Sequence, residues 1–237
     1  MHIHLPKPLH GWREFLGEVG IIVMGVIIAL GLEAWVSDVE WQSKVAEART
    51  QLRHEVGNNL ALMDDRISIR KCVDARLNEL SLIVTQATKS GRIPSLGPIG
   101  GPPSYTFPTA VWDSQVAAET VTHFPAEQIA AISRAYRFID SFRANNAVER
   151  AAWLKLSTMV GPGRPVDPAS LSELIEALKS AQGANAGLQF RKEPIFRVLE
   201  KGGLGDDFPQ LDPNNPPVLS TDTPIICEPI GRPAKSY

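Results

Sequence analysis

Apolar positions recur at spacings of three and four along most of this chain, and one early segment breaks that rule by being apolar all round. Between Glu18 and Glu33 every residue is apolar or glycine, within Phe15 to Val36. A helix hydrophobic around its whole circumference belongs in a core or a bilayer. The uninterrupted run covers only about 21 Å, whereas Phe15 to Val36 covers about 33 Å, close to the ~30 Å hydrocarbon layer. Trp12, Trp35 and Trp41 flank it, where amphipathic rings favour the headgroup region, and Arg13 marks the leading boundary. Residues 15–36 are therefore expected to be a transmembrane anchor.

After the anchor the helical period takes over. Val45, Ala48, Leu52, Val56, Leu60, Met63 and Ile67 form one stripe, continued by Val73, Leu77, Leu80 and Val84, which predicts helix from 37 to about 90. Charges such as Glu47, Arg49, Arg53 and Glu55 fill the intervening positions. Gly57-Asn58-Asn59 is the weak point of this run, but no proline interrupts it. The stretch 90–108 is too dense in proline and glycine for a regular element. Thr109 to about Thr122 predicts a short helix. Pro125 is placed at the first position of the next, whose face runs from Ile129 through Tyr136 and Trp153 to Val160. Asp167-Pro168 reads as a cap followed by proline, opening a helix with Leu171, Leu174, Ile175 and Leu178 inward. A further helical piece, about 184–201, is expected to be interrupted by Pro194 and closed by Gly202-Gly203.

The resulting expectation is an all-α protein: an N-terminal transmembrane helix running into an amphipathic helical bundle, with a proline-rich tail. Its divisions are a short cytoplasmic N-terminus at 1–14, the anchor at 15–36, a helical periplasmic domain at 37–201 and an extended tail at 202–237. Strand-like alternation is confined to Pro224 to Cys227. A cleaved secretory signal is the competing reading of the anchor, because Ala29-Leu30-Gly31 offers small residues at a plausible spacing. The long leader with Glu14 and Glu18 speaks against it. Lys7 and Arg13 lie ahead of the span, while Lys44 and Arg49 follow at a greater distance, which places the N-terminus inside and the domain outside.

Composition narrows the function classes. A net charge of −2 over 237 residues argues against nucleic acid as a partner. No phosphate loop, dinucleotide fingerprint, nucleophile elbow or HExxH zinc motif occurs, so no catalytic, cofactor or metal-binding residues are assigned. His2-x-His4 lacks a third ligand, His54 and His123 stand alone, and Asp64-Asp65 and Asp206-Asp207 are read as solvated corners.

The sharper candidates lie in the anchor. Glu18, Ile22, Gly25, Ala29 and Glu33 share a sector of about 80° on one helix face. Gly25 and Ala29 have the small-xxx-small spacing that lets helix backbones approach, giving a surface for a second copy or a membrane partner. Glu18 and Glu33 either join an ion path or reach headgroup water. Cys72 and Cys227 are either a disulfide, if Ile225 and Ile226 dock the tail on the helices, or two unpaired thiols.

The block HGWREFLGEVGIIVMGVIIALGLEAW, residues 10–35, resembles the opening of a bacterial family of single-span inner-membrane proteins without an assigned activity. Leu52-Arg53-x-Glu55-x-x-x-Asn59 and Thr109-Ala110-x-Trp112 resemble that family's later pattern. The resemblance implies bacterial inner-membrane location and carries over no activity. The function expected is a non-catalytic membrane-anchored scaffold, adaptor or sensor. An accessory subunit of a transporter or ion-motive complex using Glu18 or Glu33, and a periplasmic enzyme, are the alternatives.

Overall fold

The computed structural model describes residues 11–188, 192–205 and 225–231; the side chains of residues 13, 14 and 192 are outside that set. The chain is all-α, with a long N-terminal apolar helix followed by a helical bundle. Its helices are α1 (Trp12–Ser68), α2 (Arg70–Ser90), α3 (Ala110–Ala117), α4 (Ala126–Ser157), α5 (Pro168–Leu188) and α6 (Lys192–Lys201). Single 3₁₀ turns occupy Thr120–His123 and Ile225–Cys227. By contacts the chain divides into two units, 1–49 and 50–237.

In the first unit, helix α1 is exposed at every described side chain from Trp12 to Glu40. No part of its apolar window is buried. In the second unit the predicted stripe is buried at Leu52, Val56, Leu60 and Met63. Gly57-Asn58-Asn59 stays helical, as the unbroken apolar stripe favours. Two features depart from the expected pattern. The helix predicted from 37 to about 90 breaks at Ile69, whose φ of −88° and ψ of 6° leave helical geometry. Glu55, which lies between the apolar positions, is buried, and so is Arg66, beside an only half-buried Ile67.

The packed heart of this unit brings α2, α4 and α5 together. Val73, Leu77, Leu80 and Val84 from α2 meet Trp153 and Leu156 from α4 and Leu174, Leu178 and Ala181 from α5. α6 lies on α4 and buries Ile195, Phe196 and Leu199. Its Pro194 sits in the first turn, where a missing N–H costs nothing, so it does not interrupt the helix. Gly203, at φ +70°, then ends it, and the Leu204 N–H donates to the Leu199 carbonyl at 2.9 Å.

Several boundaries differ from expectation. Pro125 is not the first helical residue but the flanking cap, with φ −55° and ψ 137°, and α4 begins at Ala126. Its extended ψ places it just outside the helix. The segment 109–122 divides into α3 and a 3₁₀ turn, separated where Glu119 adopts a left-handed φ of 57°. Proline and glycine keep 91–108 irregular, yet Arg92–Ile93 (β1) pairs antiparallel with Arg164–Pro165 (β2), and Leu96 bridges Gly161. Ile225–Cys227 is a helical turn, not a strand. Of the expected 202–237 tail, residues 206–224 and 232–237 lie outside the described residues.

Candidate functional site

The anchor residues singled out in the sequence all lie on α1. Glu18, Ile22, Gly25, Ala29 and Glu33 are exposed, and a Cβ at Gly25 would meet nothing within 4 Å. Helical phase puts them on one side, an unoccupied face among the described residues. Trp12 and Trp35 are exposed, and Trp41 is half-buried with the Lys44 ammonium 4.6 Å from its ring centroid. The Arg13 side chain lies outside the described residues. One helix of the described chain is long and apolar enough to cross a membrane.

The second unit concentrates its unusual chemistry in three buried groups of charges. Glu55, on α1, accepts the backbone N–H groups of Val111 at 2.8 Å and Trp112 at 3.2 Å. A carboxylate from a remote helix thus satisfies two of the N–H groups that the first turn of α3 leaves open. The Tyr136 hydroxyl donates to the same carboxylate at 2.6 Å, and its ring stacks on Trp112 at 5.1 Å. Burial, then the hydrogen bond to Glu55, drive the Tyr136 phenol far above its ordinary range. It stays a donor at any physiological pH.

The second group is a network at the centre of the bundle. Arg66 donates from Nε to Glu149 at 2.9 Å and from Nη2 to the other oxygen of the same carboxylate, a bidentate pair. Nη2 also donates to the Asn185 carbonyl oxygen at 2.8 Å, and the Asn185 amide donates to Asp74 at 2.6 Å. Helices α1, α2, α4 and α5 are thereby joined by one polar chain. Nearby, Tyr105 donates to Asp65 and Asn146 donates to the Tyr105 carbonyl at 3.2 Å, so Asp65 is not a free solvated corner.

The third group holds the C-terminal segment. Cys72 and Cys227 are joined in a disulfide with Cα atoms 4.6 Å apart. One helical turn on, the buried Arg76 donates to the carbonyls of Ile225, at 3.4 Å, and Glu228, and to the Glu79 carboxylate at 3.0 Å. Ile226 inserts into the apolar core between these fastenings. Gly100 faces it at φ +64°, where a Cβ would come within 2.8 Å of the Ile226 nitrogen. Only glycine fits there.

Solvent-facing clefts are modest. Two, of about 200 and 190 Å³, lie along α4 at Trp153 and at Ala152. A third, of about 440 Å³, opens between the end of α4, β2 and the first turns of α5. Only this third one reaches the roughly 300–1,000 Å³ range of small-molecule sites. Ile93 and Leu174 line its floor, with Lys155, Arg164, Asp167 and Glu173 around it. Asp167 caps α5, as its sequence position implies, and the Ser170 hydroxyl and N–H hold its carboxyl below the usual range.

Among the described residues no group of three or more His, Cys, Asp or Glu side chains could hold a metal ion. His2, His4 and Asp206-Asp207 lie outside them. Sequence reasoning missed Glu55, Arg66, Arg76 and Glu149 because helical period treats a charge as solvated. Position was a usable signal for Arg66, which adjoins the apolar stripe. No family model, curated protein or solved structure matches the chain.

Proposed function

We propose that this chain is a single-span protein of the bacterial inner membrane that presents a non-catalytic helical domain in the periplasm, as a scaffold, adaptor or sensor. One observation carries the reading: the apolar part of α1 is exposed around its whole circumference and none of it is buried by the rest of the described chain. Exposing so much apolar helix to water is costly at about 25 cal/mol per Å², and a bilayer removes that cost. The disulfide between Cys72 and Cys227 supports an oxidising side for the domain. The buried charges support a non-catalytic role, since Glu55, Arg66, Glu149 and Arg76 are engaged in joining helices and the C-terminal segment. The face at Gly25 and Ala29 is the surface for a second copy or a membrane partner.

Protease added to intact spheroplasts tests this directly. Digestion of the domain with retention of a small membrane-bound fragment is the expected result. Full protection overturns the orientation, and release of the domain after N-terminal processing overturns the anchor.

A further inference from the structure

We propose that the cleft between the end of α4, β2 and the start of α5 binds a small zwitterion with an aliphatic side chain, an amino acid in chemical class. The floor is apolar, formed by the buried Ile93 and Leu174. Around it stand two cations, Lys155 and Arg164, and two carboxylates, Asp167 and Glu173.

Hydrogen bonding sorts these groups into engaged and available. Asp167 accepts the Ser170 N–H at 2.9 Å and the Ser170 hydroxyl at 2.6 Å, so its oxygens serve α5. The Thr158 hydroxyl donates to the Lys155 carbonyl at 2.7 Å. Arg164 gives one N–H to the Thr158 carbonyl, and a guanidinium has further donors to offer. The Lys155 ammonium and the Glu173 carboxylate are exposed and have no partner among the described residues. Two positive groups and one negative group therefore remain open above an apolar floor.

That set discriminates by charge pattern. A simple anion drawn to Lys155 and Arg164 also meets the fields of Asp167 and Glu173. A simple cation meets the reverse. A zwitterion places its carboxylate between Lys155 and Arg164 and its ammonium toward Glu173, while its side chain lies against Val166, the half-buried apolar residue that packs on the core holding Ile93 and Leu174. The volume of about 440 Å³ leaves room for such a ligand with some water.

The proposal goes beyond the anchored-module reading and does not rest on it, because binding is measured on the solubilised full chain whatever its topology. Isothermal titration with L-leucine, glycine, N-acetyl-L-leucine and L-leucinamide is the test. L-Leucine should bind saturably, with Kd of about 1 mM or tighter. Glycine lacks the side chain, the acetylated form lacks the ammonium and the amide lacks the carboxylate, so each should bind at least about tenfold more weakly. Lys155→Gln and Glu173→Gln should each weaken L-leucine by about tenfold. Both side chains are exposed, so the urea unfolding midpoint should not move. Absence of binding by L-leucine, equal binding of all four compounds, or wild-type affinity in both variants would overturn the site.

Discussion

Replacing Arg66 by methionine removes the positive half of a pair whose two side chains are each only 1% exposed. The bidentate partner, Glu149, is left as a buried carboxylate without its counter-charge, which costs about 3–5 kcal/mol. Asn185 loses the donor to its carbonyl oxygen, worth about another 1 kcal/mol. A loss of about 4–6 kcal/mol is comparable with the roughly 5–15 kcal/mol that holds a domain folded. The same reasoning makes a second, opposite prediction. Arg66→Met combined with Glu149→Leu removes both charges, and such apolar replacement of a buried pair is often neutral. The double variant should recover at least about 2 kcal/mol of what the single variant lost. Urea unfolding of the solubilised chain, followed by far-UV circular dichroism, gives all four corners of the cycle. A single-variant loss below about 1 kcal/mol, or a double variant as unstable as the sum of both single changes, refutes the argument.

Three further outcomes follow from other contacts. Cys227→Ser should lose up to about 5 kcal/mol, the chain-entropy value for the loop of 155 residues, and reductant should bring wild type to the same midpoint; two freely alkylated cysteines in material never exposed to reductant would contradict this. Gly100→Ala should cost about 1–2 kcal/mol for its left-handed backbone and displace Ile226, read as faster hydrogen exchange at 225–228 with α5 unchanged. The Tyr105 phenol is raised from about 10 to about 12, by burial first and then by its hydrogen bond to Asp65. Its folded value lies above its unfolded value, so its stabilisation is complete below pH 10 and lost as pH climbs through 12. The stability gap between wild type and Tyr105→Phe should close over that interval; a constant gap would assign the shift to something else.

The parts of the fold that were legible in the sequence are those written in local chemistry. The stripe from Leu52 to Met63 and that from Val73 to Val84 are buried as their period implies, and Asp167-Pro168 opens α5 with the cap in place. Breaks imposed by packing were not legible. Ile69 has neither proline nor glycine beside it, yet the chain leaves helical geometry there. Buried charges were hidden for a related reason. Arg66 and Glu149 stand 83 positions apart, and Arg76 and Glu228 stand 152 apart, so nothing in either neighbourhood announces the partner. The cleft at Lys155 and Glu173 is assembled from α4, β1, β2 and α5, and no linear motif spans it.

The hold that Arg76 has on the C-terminal segment also sets an order of events during synthesis. The carbonyl of Glu228 emerges from the ribosome 152 residues after the guanidinium that it satisfies. At roughly 5–20 residues per second, that is a delay of about 8–30 s. Throughout it, α2 can form but must keep Arg76 hydrated, and the place that Ile226 fills in the apolar core stays open. The core around α2 therefore stays incomplete until residues 225–228 arrive. Without residues 225–228, Arg76 would have neither carbonyl and the core would have no Ile226, so this short segment is the last part of α2's surroundings to be supplied.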